Sequence, residues 1–421
     1  MLHCRLLGDF SIRMSAKVAI LGGGISGLSV GWLLKQSGWS PHVFERQPFS
    51  GGLARSFLWH GFNCDIAAHR LYTNNHAVQE ILSSLVPLVR NVRESQIYIA
   101  GKWIRDPVNP VELALKFFPN PGMAFVWDYV TRASKSRVVP DSFDSFAIAN
   151  YGLSLTEFFF RPYTEKLFGI SASEISIAWA IQKVRVSGLL DMIKRNSKTY
   201  FNHFYYPREG GYGAISQRLY RDIQADVSLS TSVRALHLDQ GKIVGITYQT
   251  EEGERTETFD AVVSTLPITS LARLLGIPIQ LKFQPVSLVY LLMDQPRVSA
   301  NHWVYFAHKN VLMNRVSEFK NFSDYGLPQD KTVLCVEVTM PHSHDTVVEM
   351  VIADLAHIGH IRKENVLDTL VLHEEFGYPI YTRQYEEQLA LARASLEQYS
   401  NLYFTGRNAT FTHMDIDDNF E

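Results

Sequence analysis

The stretch "KVAILGGGISGLSVGWLLKQSGWSPHVFERQPFSGGLARSF", Lys17 to Phe57, decides the fold. "VAIL" is apolar and partly β-branched, which predicts a strand. "GLSVGWLLKQSG" spaces Leu28, Leu33 and Leu34 for a helix, and "PHVFER" predicts a second short strand. Between strand and helix stands Gly22-x-Gly24-x-x-Gly27. Gly22 permits a tight turn, Gly24 lets the backbone approach a pyrophosphate, and Gly27 lets helix and strand pack closely. The helix then offers its free N–H groups and partial positive charge to the phosphates. Glu45 closes the second strand at about the 20-residue distance expected of an acid that accepts from a ribose hydroxyl. Strand, helix and acid together predict a unit that binds a dinucleotide.

Just beyond lies Gly51-Gly52-Leu53-Ala54-Arg55, where an NAD-binding unit would run on into its next helix. A second glycine pair lets backbone amides face a further stretch of a larger cofactor. Arg55 beside it can meet a phosphate or a flavin. The arrangement suits a cofactor larger than NAD.

The rest of the chain sets the frame. Its 421 residues exceed one ordinary core, so two or three domains or subdomains are expected. A hydrophobic content of 46% with 19% charged residues is that of a globular enzyme. A formal net charge of -2 gives no electrostatic footprint for nucleic acid. Cys4, Cys64 and Cys335 are scattered and odd in number, so neither a disulfide framework nor a metal cluster is expected, and the default setting is cytoplasmic. No window reaches the ~18–20 apolar residues of a spanning helix, so no transmembrane segment is predicted. Asp415, Asp417 and Asp418 read as a solvated acidic run, and His342 and His344 lack a completing ligand set, so no metal site is expected.

Residues 1–16 read as a leader expected to be disordered, with Met14 close before the first strand. Residues 17–106 form the first part of the dinucleotide-binding region. Segments such as "NPVELALKFF" and "ISIAWAIQKVRVSGLLDMIKR" predict a helical substrate or cap subdomain over 107–205. Residues 206–282 return to the dinucleotide-binding region, with a β-meander turning at Asp239-Gln240-Gly241 and Glu251-Glu252-Gly253. Residues 283–400 supply a second sheet and helices, strand-rich over 283–345 and helical over 346–373 and 383–399. "NLYFTGR" in 401–421 predicts a short returning strand.

The GG-x-x-R arrangement resembles that of the amine-oxidase-like flavoproteins, which have an FAD fold of the glutathione-reductase type. "AVVSTLP" (Ala261 to Pro267) and "YFTGR" (Tyr403 to Arg407) resemble two further signatures of that superfamily. The resemblance implies an α/β fold: a glutathione-reductase-type FAD-binding Rossmann domain with an inserted helical subdomain and a second antiparallel sheet. Within the superfamily, the chain from about Lys17 to Asp418 is similar to the UDP-galactopyranose mutase family. "DIAAHRLYTNN", "PYTEKLFGISASEI", "PREGGYGAI", "NRVSEFKNF", "FGYPIY" and "GRNATFTHMDIDD" resemble that family's motifs in the same order.

This second resemblance implies ring isomerisation of a nucleotide-linked sugar, carried by N5 of a reduced flavin. It places His69 by the flavin and makes Arg185 and Arg315 the phosphate-binding arginines. It makes Tyr163 and Tyr378 hydrogen-bond donors to the same diphosphate, and sets Arg407 beside the flavin. Phe168 stands where the family has a tryptophan, and Met414 where it has a tyrosine. FAD contacts are implied for Gly22, Gly24, Gly27, Glu45 and Arg46 in the first unit. Gly52, Leu53 and Arg55 follow in the second glycine turn, Val233 in the meander, and Gly406, Arg407, Met414 and Asp415 near the end of the chain. Further implications are an external reductant for the flavin, a homodimer, and a closing helix past Glu421. A second expectation is an FAD-dependent oxidase or desaturase of an amine, porphyrin-like or polyene substrate, favoured by Phe168, Met414 and the apolar helical segment.

Overall fold

The strand Lys17–Leu21 is the centre of a five-stranded, wholly parallel sheet. The computed structural model describes residues 16–135, 139–183, 203–340 and 343–420. Strands Ser40–Phe44 and Ala261–Ser264 flank the first one, with Ile20 opposite Val43 and Val18 opposite Ala261. Val227–Ser228 and Leu402–Phe404 complete the edges. Val18, Ala19, Ile20 and Leu21 are inaccessible to solvent, as expected of a parallel sheet covered on both faces. Helix Ile25–Gln36 buries Leu28, Val30 and Leu34, each contributing about 1.5–3 kcal/mol of hydrophobic stabilisation. Helix Ala214–Ile223 packs against it with Ile215, Leu219 and Ile223 inward.

Strands Ser232–Asp239, Lys242–Thr250 and Gly253–Glu257 form the expected antiparallel meander. From Pro110 to Lys183 the long elements are helices: Pro110–Lys116, Gly122–Lys135, Phe143–Tyr151, Arg161–Phe168 and Ile177–Lys183. Asn109 caps the first by accepting from the N–H groups of Val111 and Glu112, and Ser142 and Ser145 form a capping box on the third.

The second sheet has seven strands. From one edge they are Val366–Pro379, Phe283–Met293, Thr332–Val338, Arg315–Glu318, Trp303–Phe306, Ser95–Ile99 and Lys102–Arg105. All neighbours are antiparallel except Trp303–Phe306 with Ser95–Ile99. Arg315 lies directly opposite Glu337 in this register.

Two sequence expectations are corrected here. The helix expected over 346–373 is confined to His344–His357, and Val366–Pro379 is a 14-residue strand. Its apolar residues fit either period, and the eleven-residue strand Phe283–Met293 recruits it by pairing along nearly its whole length. Strands Ser95–Ile99 and Lys102–Arg105, read as part of the first dinucleotide-binding segment, hydrogen-bond in the second sheet instead. The leader through Ser15, Arg185 and the remainder of "VRVSGLLDMIKR" lie outside the described residues.

Candidate active site

A cavity of about 1250 Å³ runs between the parallel sheet, the helical segment and the seven-stranded sheet. That exceeds the roughly 300–1,000 Å³ of a pocket for one small ligand. One end is made of backbone. Gly22 turns with φ +102°, and a Cβ on Gly27 would stand 1.9 Å from the carbonyl oxygen of Gly22. Only hydrogen at Gly27 lets the helix start so close to the strand. No side chain caps the helix at Gly24, and Ile25 and Ser26 of its first turn line the cavity. The second glycine turn lies against the first, with Gly51 N–H donating to Gly23 O at 2.8 Å. Glu45 accepts from Gly23 N–H at 2.8 Å and from Gln47 N–H at 2.9 Å, which fixes its carboxylate at the end of its strand.

The other end is made of side chains. Arg315 Nε donates to Glu337 Oε1 at 2.5 Å, and Tyr378 OH donates to Glu337 Oε2 at 3.1 Å. The Arg315 guanidinium lies 6.0 Å from the Tyr305 ring, which meets Tyr163 edge-on at 6.2 Å. Burial opposes the charge on Arg315, but Glu337 outweighs it, with Tyr378 and Tyr305, and holds the guanidinium above its ordinary range. Arg407 is placed differently. It donates to Gly377 O at 2.9 Å and lies 5.5 Å from the Tyr378 ring, and its buried Nε has no protein partner. Burial lowers its pKa, against the opposing pull of Tyr378 and Asp415.

His69 stacks on Tyr212 at 4.9 Å, with Nδ1 buried and unpartnered. Burial, then the charges of Arg315 and Arg407, pushes its pKa down to about 3, so the ring is neutral near pH 7. Burial likewise raises Tyr163 and Tyr378 and keeps their hydroxyls protonated as donors.

The cavity gathers most residues that the sequence singles out. Gly22, Gly24, Glu45, Arg46, Gly52, Leu53, Arg55 and Val233 line one part of it. His69, Tyr163, Arg315, Tyr378, Arg407, Met414 and Asp415 line the rest. Arg55 is tied down, donating to Gly52 O at 2.8 Å and to Glu374 Oε1 at 2.5 Å. Three expected contacts fall elsewhere. Gly27 and Gly406 pack backbone behind the wall, and a Cβ at Gly406 would meet Ser26 Oγ at 2.4 Å. Phe168 is buried in the core edge-on to Trp179 at 4.9 Å, and Trp179 reaches the cavity in its stead. Sequence reasoning misses Glu337, Tyr305 and Glu374, since each takes its meaning from a strand distant in the chain.

The family model described as "Flavin containing amine oxidoreductase" matches residues 25–420. The chain belongs to that family. It is therefore an enzyme, and FAD is its cofactor. Mitochondrial protoporphyrinogen oxidase of Nicotiana tabacum is 24% identical to this flavoenzyme over 330 residues, 66% of this chain and 64% of that one. A Klebsiella pneumoniae protein named "Probable UDP-galactopyranose mutase" is 24% identical over 196 residues, 44% of this chain and 48% of that one. The flavoenzyme thus spans less than two thirds of these curated relatives. The crystal structure of a reduced UDP-galactopyranose mutase superposes with a TM-score of 0.83 at 21% identity, covering 96% of this chain and 93% of that one. That likeness establishes the fold. Among the described residues, no helix is long and apolar enough to cross a membrane.

Proposed function

We propose that the flavoenzyme holds FAD along the glycine-lined end and a nucleotide-linked sugar at the arginine–tyrosine end, and isomerises the sugar ring while the flavin is reduced. The two glycine turns suit the cofactor, because nothing but Gly52 Cα lies within 4 Å of where a Cβ on Gly24 would project. The uncapped first turn of the helix offers N–H groups to the pyrophosphate, and Glu45 is fixed where a ribose hydroxyl is expected. Reduced FAD supplies an electron-rich nucleophile when bound.

One observation carries the substrate half. Arg407 is a half-buried cation whose Nε is buried without a protein partner and whose other contacts are a carbonyl and an aromatic face, and with it in the cavity is Arg315, whose charge Glu337 already answers. A fixed guanidinium with unsatisfied donors favours an anionic group, and a departing diphosphate is one. Arg407 and Arg315 orient and neutralise that group, while Tyr163, Tyr305 and Tyr378 offer hydroxyls around it. Arg185, outside the described residues, is carried as a further phosphate contact. Neutral His69 adds no third positive charge. The same cations oppose an ammonium substrate, which counts against amine oxidation.

A second reading has its own support. Val108, Leu113, Phe143, Leu155, Phe159 and Phe160 give the cavity an apolar wall, which suits oxidation of an apolar substrate bearing carboxylates. Titrating UDP and UDP-sugars against oxidised and reduced holoenzyme, followed by the flavin spectrum, separates the two. The mutase reading expects tighter UDP binding to the reduced form, weakened about tenfold or more in Arg407→Ala, Arg315→Ala and Arg185→Ala. No response to UDP, with oxidation of a porphyrinogen or polyene that bleaches the flavin, would replace it with the oxidase.

A further inference from the structure

Arg70 follows His69 in the sequence and lines the same cavity, but neither the glycine turns nor the Arg315–Glu337 pair engages it. Its guanidinium lies 5.5 Å from the Trp303 ring. Trp303 and Tyr305 stand two residues apart on strand Trp303–Phe306, so their side chains project from the same face of the sheet, and both line the cavity. Each ring has a guanidinium beside it, Arg70 at Trp303 and Arg315 at Tyr305. The strand therefore carries two cation positions, on residues about 7 Å apart.

Charge distinguishes the two. Arg315 is answered by Glu337, and Arg93, which also lies beside the Trp303 ring at 5.3 Å, is answered by Asp106. Among the described residues, no carboxylate comes within ion-pair distance of Arg70, and no acceptor takes its guanidinium N–H groups. Asp415, an acid on the same cavity wall, lies 4.0 Å from His413 instead. Trp303 Nε1 is likewise buried without an acceptor. A half-buried guanidinium left over in this way favours an anion from outside the chain. The diphosphate position does not use it: the cations that depress His69 are Arg315 and Arg407, whereas Arg70 reaches from the next residue onto Trp303.

We infer that the ligand carries a second anionic group, a carboxylate on its sugar, and that Arg70 receives it. A guanidinium fork matches a carboxylate with two parallel hydrogen bonds, which a neutral hydroxymethyl group cannot reproduce. The substrate class is then a nucleotide-linked hexuronate. Its diphosphate lies at Arg315 and Arg407, and its sugar carboxylate at Arg70. The inference rests on the nucleotide-sugar reading and narrows it.

The test is titration of the reduced, FAD-loaded full chain with UDP, UDP-galactose, UDP-glucose, UDP-galacturonate and UDP-glucuronate, followed by the flavin spectrum. At least one uronate is expected to bind about tenfold or more tighter than its neutral hexose. Arg70→Met keeps an apolar stem over Trp303 and should bring that ratio towards one, with Arg70→Lys between. Circular dichroism of each variant shows that the fold is kept, and the wild-type ratio stands without any variant. Neutral hexoses that bind wild type as well as their uronates would overturn the inference and leave the nucleotide-sugar reading intact. So would a preference that survives in Arg70→Met. UDP weakened in Arg70→Met by the same factor as the uronate would assign the guanidinium to the diphosphate, and flavin lost from the folded variant would assign it to the cofactor. Either result overturns the inference. UDP that fails to bind wild type overturns the nucleotide-sugar reading itself, and this inference with it.

Discussion

The two ends of the cavity are built by opposite means. At the glycine end, backbone from two short stretches closes on itself, and the tolerances are those of hydrogen in place of a methyl group. At the arginine end, side chains from several distant segments hold one another by charge and hydrogen bonds. The first kind of site fails by collision and the second by loss of a partner. The difference sets what mutation should do at each.

The largest effect is expected at the glycine end. Gly27→Val places carbon within 1.9 Å of the Gly22 carbonyl oxygen, so helix and turn must separate. The purified protein should lose its flavin absorbance altogether and about 5 kcal/mol or more of stability to urea. Full retention of FAD would mean that the backbone end is softer than the contrast requires.

At the other end, Glu337→Ala leaves the mostly buried Arg315 without its carboxylate, and about 3–5 kcal/mol of stability should go with it. Glu337→Gln, which keeps the shape and one acceptor, should lose less. Equal losses in both variants would show that shape and not charge holds this end together.

The third prediction uses pH. His69 titrates near 6.5 when unfolded and near 3 when folded, held down by burial and then by Arg315 and Arg407. Between those values the unfolded chain takes a proton that the folded chain refuses, so stability falls as pH drops from 6.5 towards 3. Asp65 works in the opposite sense: burial raises it to about 6 against the hydrogen bonds of Ser56, Tyr206 and Tyr212, so the folded chain takes up a proton first. His69→Gln should therefore gain about 2 kcal/mol on wild type near pH 4.5 compared with pH 7, measured by urea midpoints. No change in the pH dependence would sever His69 from the charges around it.

The smallest effect is Tyr378→Phe, which removes one hydrogen bond to Glu337. It should cost about 0.5–1.5 kcal/mol of stability, and weaken UDP about three- to tenfold if the hydroxyl also meets ligand. Unchanged UDP binding with lowered stability would confine this tyrosine to holding Glu337.

The same contrast explains what could be read in the sequence. The dinucleotide turn was legible because Gly22, Gly24, Gly27 and Glu45 do their work within one strand–helix–strand unit, where spacing along the chain is spacing in space. The meander was legible by its alternation and its glycine turns. Arg315 could be picked out, but not its pairing with Glu337, since the register of two strands is fixed by the pairing itself. The strand Val366–Pro379 was read partly as helix because its pattern is ambiguous until Phe283–Met293 lies beside it. Phe168 stands where the resemblance puts a site tryptophan, but its side chain packs edge-on to Trp179 in the core, a placement that position along the chain does not reveal.

The pairing of Arg315 opposite Glu337 across neighbouring strands ties recognition to alignment. Were one strand to slide by a single residue along the other, guanidinium and carboxylate would end on opposite faces of the sheet. Affinity for an anion at this end of the cavity is thus also a gauge of whether the two strands have zipped together correctly, and misfolded protein should betray itself first by failing to hold that ligand.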